Sequence, residues 1–344
     1  PIPPPPPVPN YRPEVSVYTA LAPTVLTYGR TLLDSLHERV GEQEQLLGRA
    51  DVGTRDDALE GLWSRLIYVD GERDGHPLGI YGGSPHYDYR FGALQLGVDL
   101  YQRDTQGEHA DRAGLYAAIG TATVDADDPR GAAAGRERVQ GYTLGGYWTR
   151  YGAGARAWYV DAILQASAYR ARSDSVDQTL PSMHTDGIGL SASLEGGYPF
   201  RFDRGWVLEP QAQLDYTWLD LDDSTDLGGR VRFDDTDSLV GRLSARLSRD
   251  WQHRPDEVAP LSSSAWLRAS VRHEFKGETV TAFATEAGWL PFNAGIDGTW
   301  WELELGMTRE IDRNVFVYGN VGYMQGWDND RRAWEGKLGI RANW

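Results

Sequence analysis

"WEGKLGIRANW", residues 334–344, alternates with period two: Trp334, Gly336, Leu338, Ile340, Ala342 and Trp344 are apolar or small, and Glu335, Lys337, Arg341 and Asn343 between them are polar. Successive side chains of a β-strand point to opposite faces, so this stretch reads as a strand with one apolar and one polar face. The split recurs upstream. In "WWELELGM" (300–307), Trp301, Leu303, Leu305 and Met307 alternate with Glu302 and Glu304; in "AWLRASVRHEF" (265–275), Leu267, Ala269 and Val271 alternate with Arg268, Ser270 and Arg272. "SLVGRLSARL" (238–247) and "WVLEPQAQLDYTW" (206–218) repeat it.

About twelve such segments follow residue 60, near 61–70, 86–102, 112–124, 138–151, 155–172, 184–199, 205–220, 236–251, 264–276, 298–310, 314–324 and 333–344. An even count lets an antiparallel barrel close with both chain ends on one side. Two features separate a membrane barrel from a soluble one. Trp148, Trp158, Tyr198, Trp206, Trp218, Trp301, Tyr323, Trp334 and Trp344 sit at strand ends in the apolar register, as interfacial girdles require. Long polar connections near 71–85, 125–137, 173–183, 221–235, 277–297 and 325–332 also take turns with short ones near 103–111, 152–154, 200–204 and 311–313, as external loops and periplasmic turns do. "QHRPDEVAPLSS", 252–263, breaks the pattern, being long where a short turn is due.

Composition agrees. Of 344 residues, 40 are Gly, 13 Trp, 18 Tyr and none Cys, with a mean hydropathy of -0.51 and a formal net charge of -16. No apolar run of about 18 residues occurs, which excludes helical membrane spans but not strands. The acidic balance argues against a nucleic-acid partner. Absence of Cys removes disulfides, thiolate metal sites and thiol nucleophiles together.

Residues 1–10, "PIPPPPPVPN", read as an extended polyproline tether to a folded unit upstream. No signal peptide is present, so the expectation is that one lies earlier in a longer protein. From Pro23 onward the period becomes helical, with Val25, Leu32, Leu33, Leu36 and Val40 interleaved with Arg30, Asp34, Glu38, Arg39 and Glu42, and "YRPEVSVYTAL" (11–21) ahead of it reads as extended or irregular chain. Pro23 suits a first helical turn, which predicts a helix starting near Ala22 or Thr24 and ending between Gly41 and Gly48. It is too charged to face lipid.

The polar register of the strands becomes the barrel interior: Arg65, Asp99, Asp161, Glu195, Glu209, Asp215, Arg242, Arg246, Arg268, Arg272, Glu302, Glu304, Glu335, Lys337 and Arg341, a mixed-sign wall. Eight strands enclose only side chains and 16 to 18 leave a channel. Twelve leave room for about one helix. The helical segment is the expected occupant, with Arg30, His37, Glu38 and Arg39 as partners for lumen charges.

These stretches in this order, the Pro-rich tether, "YRPEVSVYTALAPTVLTYGRTLLDSLHERVGE", "LWSRLIY", "GWVLEPQAQLDY", "RVRFDDTDSLVGRLSARLSRDW" and "WEGKLGIRANW", resemble the translocator domain of classical (type Va) autotransporters over residues 11–344. The wording is closest to the pertactin-like members of Bordetella, including the one tied to serum resistance. The resemblance implies an all-β membrane protein, a twelve-stranded outer-membrane barrel of a Gram-negative bacterium with an N-terminal helix through its lumen. It divides the chain into linker 1–10, linker and pore-threading helix 11–50, and barrel 51–344. Its implied role is export of its own N-terminal passenger to the cell surface and anchoring there, as a monomer and without a cofactor. The partners implied are the outer-membrane bilayer, the passenger and the barrel assembly machinery. That machinery is thought to read an alternating apolar C-terminus, which Leu338, Ile340, Ala342 and Trp344 match. Some members cut themselves at an Asn pair in the helix; residues 11–45 have none.

Competing chemistry is thin. "GGSPH" around Ser84 and His86 lacks the strand-turn-helix elbow of a hydrolase serine. His184 and His273 stand without metal-ligand spacing. "DADD" (125–128) and "DLDD" (220–223) lack an EF-hand pattern and read as solvated loop ends. No catalytic or metal residue is expected, and the other function class left is a self-contained porin or adhesin barrel plugged by a helix.

Overall fold

The computed structural model describes residues 11–34, 61–75, 85–105, 109–152, 158–177, 179–253, 261–312, 314–327 and 331–343. One helix precedes a closed antiparallel sheet. The helix α1 is Glu14–Leu33; the strands are β1 Gly61–Arg73, β2 Tyr87–Thr105, β3 His109–Asp127, β4 Ala133–Gly152, β5 Tyr159–Ser175, β6 Met183–Gly197, β7 Phe200–Arg201 and β8 Trp206–Leu221. There follow β9 Ser224–Asp226, β10 Gly229–Phe233, β11 Thr236–His253, β12 Leu261–Glu274, β13 Val280–Thr285, β14 Gly288–Asn293, β15 Gly298–Asp312, β16 Val315–Gly326 and β17 Arg331–Asn343.

Twelve of these form the barrel, each paired with its sequence neighbour; β17 closes on β1 from Gly61↔Asn343 to Arg73↔Arg331, and β8 bridges to β11. The two-residue β7 only extends the turn before β8. Both ends of the barrel chain, Gly61 and Asn343, lie at the rim that also holds Asn314, whose carbonyl accepts from the N–H of Asn343. That rim is the periplasmic one, since short turns belong there.

The opposite, outer rim carries a feature the sequence reading treated as two polar loops. The connections 222–235 and 275–297 each fold into a hairpin, and β10 pairs with β13 to join them as a four-stranded sheet, β14-β13-β10-β9. The expected loop at 125–137 is instead strand up to Asp127 and from Ala133, with a five-residue turn between in which Asp128 Oδ1 accepts from the backbone N–H of Arg130 and Ala132. In the anomalous 252–263 segment, β11 runs to His253 and β12 starts at Leu261; 254–260 lie outside the described residues.

The reason for the missed strand ends is an inversion of polarity. Inside the bilayer the outward face is apolar, as Leu338 (57% exposed), Leu164 and Leu144 show. Beyond the outer membrane boundary the wall faces water outside and α1 inside. There β2 turns Asp88 and Arg90 outward and Tyr87, Tyr89 and Phe91 inward. Alternation persists while its sense reverses, and the polar outward residues make strand look like loop.

Candidate functional site: the helix in the lumen

The helix begins earlier than the sequence suggests. Pro13 opens it, with the N–H of Ser16 donating to Pro13 O at 3.1 Å, and Pro23 lies in its interior. An interior Pro removes one main-chain bond and ordinarily breaks or kinks a helix. Here the surroundings decide: every residue of α1 except Thr27 is buried, so the barrel wall packs the helix on all sides. At about 1.5 Å per residue α1 spans roughly 30 Å. It ends at Leu33, where Asp34 turns to extended backbone (φ -59, ψ 132), short of the expected end between Gly41 and Gly48. His37, Glu38 and Arg39 lie outside the described residues.

Two different environments hold the two halves of α1. In the outer half the grip is apolar: Val17, Leu21 and Val25 join Tyr89, Phe91, Val124, Val139 and Phe233 in one buried cluster. The seat of Tyr28 is built by two glycines. A Cβ on Gly120 would come within 2.3 Å of Tyr28 Oη, and one on Gly141 within 2.5 Å of its ring, so only Gly at both lets the aromatic ring lie against the wall. Phe91 and Tyr169 meet that ring edge-on at 5.8 and 6.3 Å.

At its mouth the helix touches the hairpin sheet. Arg12 Nη2 donates to Asp226 Oδ2 at 2.9 Å, Tyr18 Oη reaches the same carboxylate at 3.3 Å, Tyr18 stacks on Phe283, and Tyr11 meets Phe292 edge-on at 5.0 Å. Ser175 donates to the Glu14 carboxylate.

In the inner half the grip is polar. A helix C-terminus leaves carbonyls without intrahelical donors and carries partial negative charge. Gln165 Nε2 donates to Gly29 O at 3.0 Å, Gln95 Nε2 to Leu32 O at 3.0 Å, and Arg65 reaches Leu32 O and Asp34 O at 3.4 Å each. Asp34 itself sits among cations: Arg272 Nη2 at 2.5 Å and Arg242 Nη1 at 3.8 Å.

All the interior charges read from sequence line this lumen. Arg272 also donates to Glu302 (2.7 Å), Arg268 to Glu304 (2.5 Å), Arg242 pairs with Glu195 (3.0 Å) and Lys337 with Glu335 (2.5 Å). Glu209 accepts from Gln211, Asp215 from Gln213, Asp161 from Thr149, and Arg341 pairs with Asp99. Arg246 lies over the Trp266 ring at 5.1 Å. Arg30 is the one expected helix partner within the described residues; it sits 3.7 Å from Glu274 and 5.0 Å from the Trp300 ring. Most wall charges therefore answer one another rather than the helix. Of the residues that meet the helix end, the sequence pattern marks Asp34 only as one of the helix charges and does not mark Gln95, Gln165 or Glu274, although the two glutamines stand in the polar register of β2 and β5.

Beside α1, toward β15–β17, remains a cavity of about 40 Å³, lined by Thr31, Asp34, Tyr89, Glu302, Glu304 and Glu335 among others. It has room for only a few waters. Among the C-terminal residues, Leu338 and Ile340 face outward and are exposed, and Ala342 shares their register; Trp344 lies outside the described residues. The acidic runs are engaged locally: Asp125 pairs with Arg90 and Arg136, and Asp223 with Arg230.

A closed twelve-stranded barrel around a single helix is the arrangement matched in comparisons with known proteins. The family model for the autotransporter β-domain matches residues 62–322. The chain belongs to that family. This autotransporter domain is 25% identical over 357 residues to the protein YdeU of Escherichia coli (strain K12), covering 97% of this chain and 70% of that one. It is 25% identical to the adhesin BmaC autotransporter of Brucella suis, covering 98% of the chain but 10% of that protein. To pertactin of Bordetella bronchiseptica it is 29% identical over 206 residues, 58% of the chain and 21% of that protein. Against BmaC and pertactin the autotransporter domain thus spans a small part of the relative's length.

Among solved structures, the transport unit of AIDA-I from Escherichia coli superposes with a TM-score of 0.71 at 19% identity over 97% of this chain and 100% of that one. The β-domain of the Bordetella autotransporter BrkA gives 0.64 at 21% over 84% and 100%. At these identities the two superpositions are likenesses of fold. The autotransporter domain is an outer-membrane component of type V secretion in a Gram-negative bacterium, in a family of transporters rather than enzymes.

Proposed function

We propose that α1 is both plug and tether: the barrel supports export of a passenger joined to its N-terminus, and α1, left in the lumen, closes the pore and holds the passenger at the surface. The linker is then 1–10, the threading segment 11–50 and the barrel 51–344. The observation that carries this reading is the double grip on α1, apolar around Tyr28 and polar around Asp34, which immobilises a segment whose N-terminal end points outward. Charged lumen residues set the inner half of the grip, with Arg65, Arg242 and Arg272 nearest the helix end. Leu338, Ile340, Ala342 and Trp344 present the register that the barrel assembly machinery would read, and the domain works as a monomer without performing a reaction of its own.

Planar-bilayer conductance tests the plug. Removal of residues 1–45 is expected to raise single-channel conductance several-fold; unchanged conductance would mean a barrel closed by its wall and loops, as in a self-contained porin or adhesin.

A further inference from the structure

Glu137 is an acid set in the apolar half of the grip on α1. On β4 it belongs to one row of register partners with Tyr89, Val124, Ser173 and Met183, all of which point into the lumen. Its neighbours Arg136 and Arg138 point outward and are exposed, which places the row beyond the bilayer, where the wall has water outside and α1 inside. The helix covers it. A Cβ on Gly135 would come within 2.9 Å of Val17, and one on Gly141 within 2.5 Å of the Tyr28 ring, so α1 crosses Glu137 between those two points of β4.

The side chain is 0% exposed, and Val124, Val139, Ala171 and Met183 beside it belong to the apolar cluster that includes Val17 and Leu21. Among the described residues its hydrogen-bond partner is Ser173, whose Oγ donates to Oε1 at 3.2 Å; Oε2 meets no protein donor, and no cation touches the carboxyl. The inward titratable groups of the elements around it are Glu14, Tyr18, Tyr28 and Arg30 of α1, Tyr87 and Tyr89 of β2 and Tyr169 of β5, while β3 presents Ala122, Val124 and Ala126 at this level. Glu14 accepts from Ser175 and Arg30 is turned to Glu274. Arg73 and Arg331, at least three strands away, donate to the carbonyls of Gly295 and Ile296. A carboxylate buried with one neutral hydrogen bond is costly, and burial pushes the Glu137 carboxyl well above the usual carboxylate range.

We propose that seating of α1 is proton-coupled through Glu137: the carboxylate, hydrated while the lumen is empty, takes up one proton from solvent as the helix covers it, and leaves it again when the helix moves out. Oε1 keeps its bond from Ser173 throughout. The inference rests on the reading of α1 as a plug. Its sign follows from linkage. The seated form holds the proton more tightly than the open one, so the contribution of Glu137 to seating is complete below the open-lumen range, about 4.3, and is lost as pH rises above that toward the raised value of the seated form. Across this window the ratio of open to seated helix increases by up to about tenfold per pH unit.

The test records gating of the refolded full chain in planar bilayers from about pH 5 to pH 8, beside Glu137→Gln and Glu137→Leu, which are neutral throughout that range. Asp34, Glu302 and other lumen acids titrate as well, so the difference between slopes is the readout. The open-to-seated ratio of the unaltered chain is expected to climb more steeply with pH than that of either variant, by up to about tenfold per unit, and both variants should stay shut longer at the alkaline end. Infrared difference spectra near neutral pH should show a carboxylic-acid C=O stretch in the unaltered chain that Glu137→Gln lacks. Equal slopes, absence of that stretch, or variants that open more at every pH overturn the proposal. The gel shift between unheated and heated samples shows that each variant has folded. Conductance of the chain without residues 1–45 tests the plug separately: a pore opened by that removal, together with equal slopes, refutes the proton coupling and leaves the plug intact.

Discussion

Asp34 Oδ1 lies 2.5 Å from Arg272 Nη2, joining the first residue past α1 to the wall strand β12 across 238 positions of sequence. This contact fixes where the helix stops. The carboxylate, the helix's own C-terminal carbonyls and the cluster of Arg65, Arg242 and Arg272 form one electrostatic unit, and removing any member leaves the others buried with less compensation.

Asp34→Asn should therefore loosen the inner end of the helix. Arg272 keeps Glu302 and Arg242 keeps Glu195, which limits the cost to about 2 kcal/mol. Open-state bursts in bilayer recordings should become more frequent. A variant with unchanged gating would place the latch elsewhere.

The seat of Tyr28 gives a steric counterpart. Gly141→Val drives a side chain into the ring of Tyr28, and overpacking of this kind costs about 1–3 kcal/mol. Tyr28→Ala in the same chain should restore part of the loss, since the obstructed group is gone. Thermal midpoints of the unheated gel band, compared across single and double variants, check this, and additive effects would show that the two residues do not meet in solution.

At the outer mouth, charge and packing separate. The Arg12–Asp226 pair is partly exposed, so Arg12→Ala should cost no more than about 0.5 kcal/mol. Phe283 is buried against Tyr18 and Phe292, and Phe283→Ala should cost about 3 kcal/mol locally. Amide exchange of residues 14–18 measures both: it should hardly change in the first variant and quicken strongly in the second.

The lipid face offers a depth-dependent test. Leu338 is exposed at mid-strand on β17, so Leu338→Arg should destabilise the barrel in liposomes by about 2–4 kcal/mol. Denaturant midpoints in reversible refolding decide it; a neutral result would mean that this face of β17 does not meet acyl chains.

Strand number and the in-out sense within the bilayer were legible because a lipid-facing wall imposes a strict two-residue period, and Leu303 against Glu304 or Ile340 against Arg341 shows it without any partner. The outer strand ends were not, since there Arg90 and Phe91 exchange the roles such residues hold lower down. Nor was the start of α1: Pro23 is a poor interior residue by local rules, and only enclosure by the wall makes it acceptable. The site was legible as a set of charges, whereas their pairing was not, because register and barrel closure decide that Arg268 finds Glu304 and that Arg242 finds Glu195.

By itself, the sequence determined a twelve-stranded barrel, its apolar exterior, its charged interior and the presence of a helix ahead of it, since all of these are periodicities written into consecutive residues. Tertiary structure alone decided where that helix begins and ends, that two outer loops pair into a sheet over its mouth, and which few of many lumen charges touch it. Those outcomes depend on contacts between residues as far apart as Asp34 and Arg272 or Tyr18 and Phe283. No local pattern encodes such distances; they exist only once the wall has closed around the helix.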